Sequence, residues 1–297
     1  MSARRQVIDR VPPRRQTEWD IRGALNFILG GAGAGLLTAT AFAAPLPGDP
    51  RPLEALGLAL VAGGLLAVFA KIGRPLRAMH VLRSASSWMT REAMIATVLF
   101  ACGAVAILLD RSVAVFGCGV LGFVYIIAQA QILRANKGIP AWRRWSCVAL
   151  MVVTALTEGF GILCVAALAW PSLRLFAWPL VGLIVLRLVV WRRYRADLRQ
   201  TGAPIETLKV LDAFESRFIP VGHGAAVIAA AAGLLAGQPA LVAVGGGIAA
   251  LAGALLKYTL VCGAACKQGF ALPHSPSRGR GRPGAGVKPG WLAGRRS

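Results

Sequence analysis

Two glutamates lie where carboxylates are uncommon and can do proton chemistry. Glu158 is near the middle of a long apolar run, and Glu92 is near the start of another. A charged group inside a membrane-length apolar run is costly, which makes each a candidate proton acceptor. For Glu158 the alternative is a protonated carboxyl group that hydrogen-bonds a neighbouring helix. For Glu92 it is a carboxylate stabilised by a helix N-terminus.

Further candidates lie in and around the basic stretch Lys71–His80, between two apolar runs. His80 titrates near neutral pH and can donate a hydrogen bond to a carbonyl such as that of a quinone, although a solvated loop residue is an equal alternative. Arg77 lies in the same loop. Lys71 ends the preceding apolar run, where its simplest role is to extend towards the membrane surface. His223 begins a later run, where a hydrogen-bonded interfacial histidine is the alternative.

The ligands of a resident electron carrier are missing from the sequence. A membrane haem usually needs two histidines that face each other across helices, whereas His80 is in a loop and His274 is in the C-terminal tail. No Cys-x-x-Cys run suggests an iron–sulfur cluster. Cys262 and Cys266 are one helical turn apart without further ligands at metal spacing, which predicts free thiols. We therefore expect no haem or iron–sulfur cluster in this chain.

The elements that must position these residues are membrane helices. Apolar residues make up 56% of the chain and charged residues only 15%, against about 25% in soluble domains. The apolar runs are about 17 to 25 residues long, the length that crosses a bilayer. This predicts an all-α polytopic protein with eight transmembrane helices and no convincing internal repeat. The expected spans are 21–44, 52–70, 88–109, 112–133, 145–170, 173–191, 219–236 and 240–260.

Three regions follow from this pattern. Residues 1–20 form a mobile N-terminal tail, residues 21–261 the membrane domain, and residues 262–297 a basic Gly-, Pro- and Arg-rich tail. From Lys267 onward this tail should be disordered by itself. Ile205–Phe218 is expected to form a short amphipathic piece before span 7. The glycines of Gly31–Gly35 predict close helix packing in span 1. Ala41–Ala44 resembles a signal-peptide cleavage site, but the apolar run is too long for one, so span 1 is expected to be retained.

Charge gives the orientation. Nearly all of the 33 Lys and Arg residues fall in the two tails and the loops after spans 2, 4 and 6, and the opposite side holds only Arg51, Arg111 and Arg174. The positive-inside rule then places both termini in the cytoplasm, in an inner membrane. Because topology accounts for the formal charge of +21, nucleic-acid binding is not required. Trp88 and Trp142 are expected in the aromatic belt at the membrane surface.

Two motifs around the basic loop resemble a known family. Ile72–Ala78 followed by Ser87–Glu92 resembles the membrane anchor subunits of the dimethyl sulfoxide reductase type, and eight spans match that family. Gly138–Trp142 and Gln268–Pro273 are most similar to the anchor of phenylacetyl-CoA:acceptor oxidoreductases. The resemblance implies a complex in which this chain tethers a ferredoxin-like iron–sulfur subunit and a molybdopterin catalytic subunit, and reacts with menaquinone or ubiquinone.

The resemblance also implies roles for individual residues. Related anchors often have a histidine where this chain has Lys71, so Lys71, Arg77 or His80 is the expected hydrogen-bond donor to the quinone. Glu92 matches the acidic residue of the family at the start of the next span. The cytoplasmic loops are expected to dock an acidic partner. The docking residues we expect are Arg74, Arg83, Arg143 and Arg144.

The direction of electron flow stays open, because sulfoxide reductases oxidise quinol and the phenylacetyl-CoA enzyme reduces quinone. A rival hypothesis is a small-solute or ion transporter. That class is expected to show inverted repeats and broken helices at the membrane midplane. In the sequence, Glu158 is the only charge that we place at the midplane.

Overall fold

Eight helices long and apolar enough to cross a membrane form the computed structural model, which describes residues 10–44, 49–71, 86–109 and 112–271. The predicted all-α polytopic fold is therefore confirmed. In chain order, α1 to α8 are Ile21–Ala43, Arg51–Phe69, Trp88–Leu109, Ser112–Ala135, Trp145–Leu168, Pro171–Gln200, Ile205–Leu235 and Pro239–Gly263.

Two helices extend beyond the predicted spans. The last part of α6 continues to Gln200, where Gly202, at φ +65°, ends it in the left-handed conformation that glycine adopts without strain. The predicted amphipathic piece, Ile205–Phe218, is the first part of α7. Both extensions are rich in charged residues and are joined by ion pairs, among them Arg195 Nε to Glu215 Oε2 at 3.1 Å. These pairs explain why polar residues continue both helices.

Three helices contain a π-helical segment: Asn26–Gly30 in α1, Pro220–Ala225 in α7 and Thr259–Gly263 in α8. All three lie towards the side on which α1 begins and α8 ends, which we call the basic face. The opposite side is the far face. A π segment widens one helical turn and often occurs at functional sites. The three segments therefore indicate that a functional site would lie in the half of the bundle next to the basic face.

The eight helices pack as two units of four with the same order of contacts. In the first unit α1 packs against α2 and α4, and α3 packs against α4; in the second α5 packs against α6 and α8, and α7 against α8. The units meet mainly where α1 crosses α5. The sequence predicted no internal repeat, and the repeated packing order became visible only in the structure.

Glycines allow the helices to approach closely, as the Gly31–Gly35 motif predicted. Gly35 of α1 meets Gly159 of α5 so tightly that a Cβ on either glycine would overlap the other helix. Gly161 and Gly246 make the equivalent contact between α5 and α8. Contact between backbones is the main way helices associate where lipid removes the hydrophobic driving force.

The segments flanking the membrane domain pair with each other on the basic face. Strands β1 (Arg10–Val11) and β4 (Phe270–Ala271) are antiparallel partners, as are β2 (Arg14–Arg15) and β3 (Cys266–Lys267). The buried Gln16 donates from Nε2 to Val261 O at 2.9 Å, and its backbone N–H donates to Ala265 O at 2.8 Å. Residues 10–20 and 262–271 are thus folded, although the sequence placed them in tails.

The loop after α4 lies beneath this strand layer. Gln268 donates its backbone N–H to Gly138 O at 3.0 Å, so the two motifs of the narrower family resemblance touch. Trp142 is fully buried and donates from Nε1 to Leu260 O at 2.9 Å. Its ring also packs edge-on against Trp19, so it does not face lipid as an aromatic-belt residue would.

Candidate proton-handling site

The carboxylate of Glu92 lies in the first unit, near the basic face, and is only 5% exposed. Asn26 of α1 donates from Nδ2 to Glu92 Oε1 at 3.0 Å, and Gln129 of α4 donates from Nε2 to the same oxygen at 3.3 Å. Gln129 Nε2 also donates to Asn26 O at 2.8 Å. Glu92 lies one turn inside α3. Its carboxylate is hydrogen-bonded by side chains of two other helices and does not face solvent.

Tyr125, one turn before Gln129 in α4, faces the same carboxylate. Its hydroxyl and the Asn26 Oδ1 are buried and have no hydrogen-bond partner of good geometry among the described residues. Gly30 provides the space, since a Cβ there would lie 2.6 Å from Gln129 Nε2 and 3.1 Å from Tyr125 Oη. A carboxylate, an amide and a phenol with free hydrogen-bonding capacity thus converge in one apolar site.

Glu158 of α5 forms an ion pair with Lys257 of α8, through Oε2 and Nζ. The two side chains are 1% and 0% exposed. A Cβ built on Gly253 would lie 2.7 Å from Glu158 Oε1, so the glycine makes room for the carboxylate. Neither the proton-relay hypothesis nor the packing alternative for Glu158 anticipated a lysine partner.

Arg187 of α6 is a second buried cation beside this pair. It donates from Nη1 to Ala249 O at 2.9 Å and from Nη2 to Gly222 O at 2.8 Å, and it interacts electrostatically with Glu158. His223 follows in the π segment of α7, with Nδ1 3.0 Å from Phe218 O. Its Nε2 is buried without a partner among the described residues.

The sequence missed both cations. Glu158 is not the only charged residue buried between the helices, because Arg187 and Lys257 are buried too. Each interrupts an apolar run, and that signal alone would have identified them. Asn26 and Gln129 also lie in such runs but are common packing residues, so only the structure shows that they meet Glu92.

Of the basic stretch Lys71–His80, the structure describes only Lys71. Lys71 lies over the Trp19 ring, 5.7 Å from its centroid, and its Nζ contacts Glu18 O and lies 4.0 Å from Asp20 Oδ1. It therefore joins the N-terminal segment rather than the Glu92 cluster, since the carboxylates nearest to it are on that segment. Four predicted residues lie outside the described part of the chain: Arg74, Arg77, His80 and Arg83.

The two predicted docking residues that the structure describes lie on the basic face. Arg143 donates from Nη1 to Gln268 Oε1 at 3.1 Å, and Arg144 precedes the first turn of α5. Nearby, Lys267 pairs with the exposed Glu18, and this hydrogen bond lowers the pKa of Glu18 below its ordinary 4.5. The arginines therefore belong to a surface that the two terminal segments share.

The half of the bundle next to the far face differs in character. An apolar cavity of about 600 Å³ lies between α1, α4, α5 and α6; five phenylalanines are among its lining residues, and none of the lining side chains is titratable. The carboxyl group of Glu54 in α2 is buried in this half and has no hydrogen-bond partner among the described residues, with Cys118 as its polar neighbour. The connected polar groups thus lie towards the basic face, and this half suits hydrocarbon.

Comparison with protein-family models and with curated proteins finds no match to this chain. The functional conclusion therefore depends on the geometry of the described residues and on the motifs in the sequence.

Proposed function

We propose that this chain is the membrane anchor and quinone-reactive subunit of a molybdopterin oxidoreductase. In this role it passes electrons between a ferredoxin-like iron–sulfur partner and menaquinone or ubiquinone. The observation that carries the proposal is the Glu92 cluster. It combines a buried carboxylate with amide and phenol groups that keep unused hydrogen-bonding capacity near the basic face.

The residues of this cluster fit a quinone headgroup. A quinone oxygen accepts a hydrogen bond when oxidised and donates one when reduced, so its site needs groups that do both. The Tyr125 hydroxyl can donate or accept, Asn26 Oδ1 can accept, and Glu92 can take or return a proton. When bound, a quinone supplies a two-electron, two-proton carrier that is soluble in the bilayer. Glu92 would hold the exchanged proton at Oε1 or Oε2, while Asn26 and Gln129 fix the orientation of its carboxylate.

The position of the cluster also supports an anchor. We place the basic face in the cytoplasm by the positive-inside rule. The sequence offers no second intramembrane histidine for haem, so electrons must leave near the face where the iron–sulfur partner docks. The touching Gly138–Trp142 and Gln268–Ala271 segments lie there, beside the basic residues Arg143 and Arg144. Such a surface steers an acidic partner.

The first test is purification of the tagged chain in mild detergent, with analysis of iron and of molybdenum or tungsten. The proposal expects iron and a pterin metal in a complex of about three subunits. A metal-free chain that purifies alone from cells expressing the candidate partners would count against it.

The second test separates the site from assembly. Glu92→Gln should abolish quinone-linked turnover while the complex still assembles, because the amide keeps the hydrogen bonds but cannot exchange the proton. Glu54→Gln is the matched control, a buried carboxyl group in the other half of the bundle. Unchanged turnover in Glu92→Gln would remove Glu92 from the mechanism.

Ion or small-solute transport is the second candidate. The buried Glu158–Lys257 pair and the π segments in α1, α7 and α8 favour it, because transporters place charged groups beside interrupted helices. The four-helix units begin on the same side of the membrane, however, and therefore are not inverted. Uptake of a solute or ion by liposomes holding the purified chain alone would move this candidate to the front.

A further inference from the structure

The buried charged groups form a connected row through the centre of the protein. Lys257 and Glu158 are paired, and Arg187 lies beside Glu158 while bonded to the backbones of α7 and α8. The Glu158 Oε1 has no hydrogen-bond partner among the described residues, so half of this carboxylate keeps its capacity to accept a proton.

The row reaches the Glu92 cluster at Gly31 of α1. A Cβ built on Gly31 would lie 3.2 Å from Gln129 Oε1 and 3.4 Å from Lys257 Cε. The Gln129 amide and the Lys257 side chain therefore flank the same glycine, from the first and the second four-helix unit. Gln129 Nε2 also donates to Glu92, so Gly31 is the point where the Glu92 cluster and the Lys257–Glu158 pair approach each other.

The charges in this row balance. It contains two carboxylates, Glu92 and Glu158, and two strong cations, Lys257 and Arg187. A buried charge is tolerated only when it is compensated. A proton that enters or leaves one carboxylate therefore changes the electrostatic balance at the other, and the Lys257 ammonium lies between them.

We propose that Glu158 is a proton store for the Glu92 site, with Lys257 as the carrier between the two carboxylates. This inference depends on the proposed function. Oxidation of one quinol releases two protons and two electrons, and the electrons leave to the iron–sulfur partner. One proton stays on Glu92 and the other reaches Glu158, so each carboxylate takes one.

The transfer to Glu158 conserves its protons step by step. An Nζ–H bond of Lys257 breaks as an O–H bond forms on Glu158, which leaves a neutral amine and a neutral acid. The first O–H bond of the quinol breaks as an O–H bond forms on Glu92, and this proton passes on through a water molecule beside Gln129 to the amine, which restores the ammonium. The second quinol O–H bond then breaks, and its proton stays on Glu92. The buried acceptor Asn26 Oδ1, beside Glu92 and Gln129, is a suitable partner for such a water. Reversal of the steps supplies protons for quinone reduction.

The test is electrochemically induced infrared difference spectroscopy on the full-length chain in detergent with a short-chain ubiquinone analogue. The wild-type protein is expected to show two carboxylic-acid bands that shift in D₂O when the bound analogue is reduced or oxidised. Glu92→Gln should lose one band and Glu158→Gln the other. Glu54→Gln, outside the row, should lose neither. Glu158→Gln should still bind the analogue at the same molar ratio to protein as the wild type. If Glu158 had only a structural role, its loss would not remove a band while leaving binding intact.

If Glu158→Gln alone fails to fold, the double variant Glu158→Gln, Lys257→Met restores the charge balance and should also lack the second band. The proposed role of Glu158 as a proton store is refuted if both bands persist in whichever of these variants folds. It is also refuted if the wild type shows only one band and that band belongs to Glu92. A wild-type protein that retains none of the analogue would instead refute the proposed quinone site, a distinguishable failure.

Discussion

Lys257 and Glu158 form an ion pair that lies entirely inside the protein, with the ammonium contributed by α8 and the carboxylate by α5. The pair joins the first and last helices of the second four-helix unit. Substitutions in this pair therefore test how the helices of that unit pack.

Removal of one member of the pair should be costly. We expect Lys257→Met to destabilise the protein by about 3–5 kcal/mol, because it leaves the Glu158 charge buried without its partner. Thermal unfolding in detergent, followed by circular dichroism, measures the effect. The double variant with Glu158→Gln should recover most of the loss, and a double variant less stable than Lys257→Met alone would contradict the pairing.

Close approach of the two four-helix units should make Gly159 intolerant of a side chain. A Cβ at this position would overlap the backbone of Gly35, so Gly159→Ala is expected to cost about 1–3 kcal/mol. Gly182 of α6 is the matched control, since no atom lies within 4 Å of its Cβ position. The same thermal measurement should show Gly182→Ala at or above wild type, and equal losses in both variants would contradict the crossing.

Gln16 should hold the N-terminal segment on the basic face. Gln16→Ala removes its hydrogen bonds to Trp19 O and Val261 O, at a cost of roughly 1–2 kcal/mol. Tryptic cleavage at Arg14 or Arg15 should then become roughly 5–30 times faster, if cleavage follows local opening. The neighbouring exposed Thr17, changed to Ala, serves as the control and should leave the rate unchanged.

The strand layer should also depend on pH. Its folded state holds the pKa of Glu18 below the ordinary 4.5, through the hydrogen bond from Lys267. Glu18 therefore stabilises the layer above that ordinary value, and the contribution is lost as the pH falls through the lower, folded-state pKa. Hydrogen exchange at 266–271 should lose protection at acid pH more steeply in wild type than in Glu18→Gln. Parallel pH curves for the two proteins would exclude Glu18 as the group responsible.

The helices were predictable because a bilayer demands long uninterrupted apolar runs, and Trp88–Leu109 matches its predicted bounds. The amphipathic piece Ile205–Phe218 was predictable from its polar and apolar faces in the same way. The strands between residues 10–15 and 266–271 were not, because their partners are more than 250 residues apart and each strand has only two residues.

The site was predictable only in part. Glu92 and Glu158 stood out because a carboxylate in an apolar run is costly, and both proved to be buried. Their partners depend on which helices cross, and Asn26 meets Glu92 only because α1 lies beside α3 and α4. Trp142 was misplaced because a sequence does not show that a distant segment covers a loop.

The pairing of residues 10–15 with residues 266–271 sets an order of events during synthesis. The second strand of each pair follows α8, so a ribosome has made the whole membrane domain before the basic face can close. Residues 10–15 therefore have no strand partner until all eight helices have been synthesised. A chain interrupted before Cys266 would lack both strand pairs, so a closed basic face occurs only on a chain whose membrane domain has been made in full.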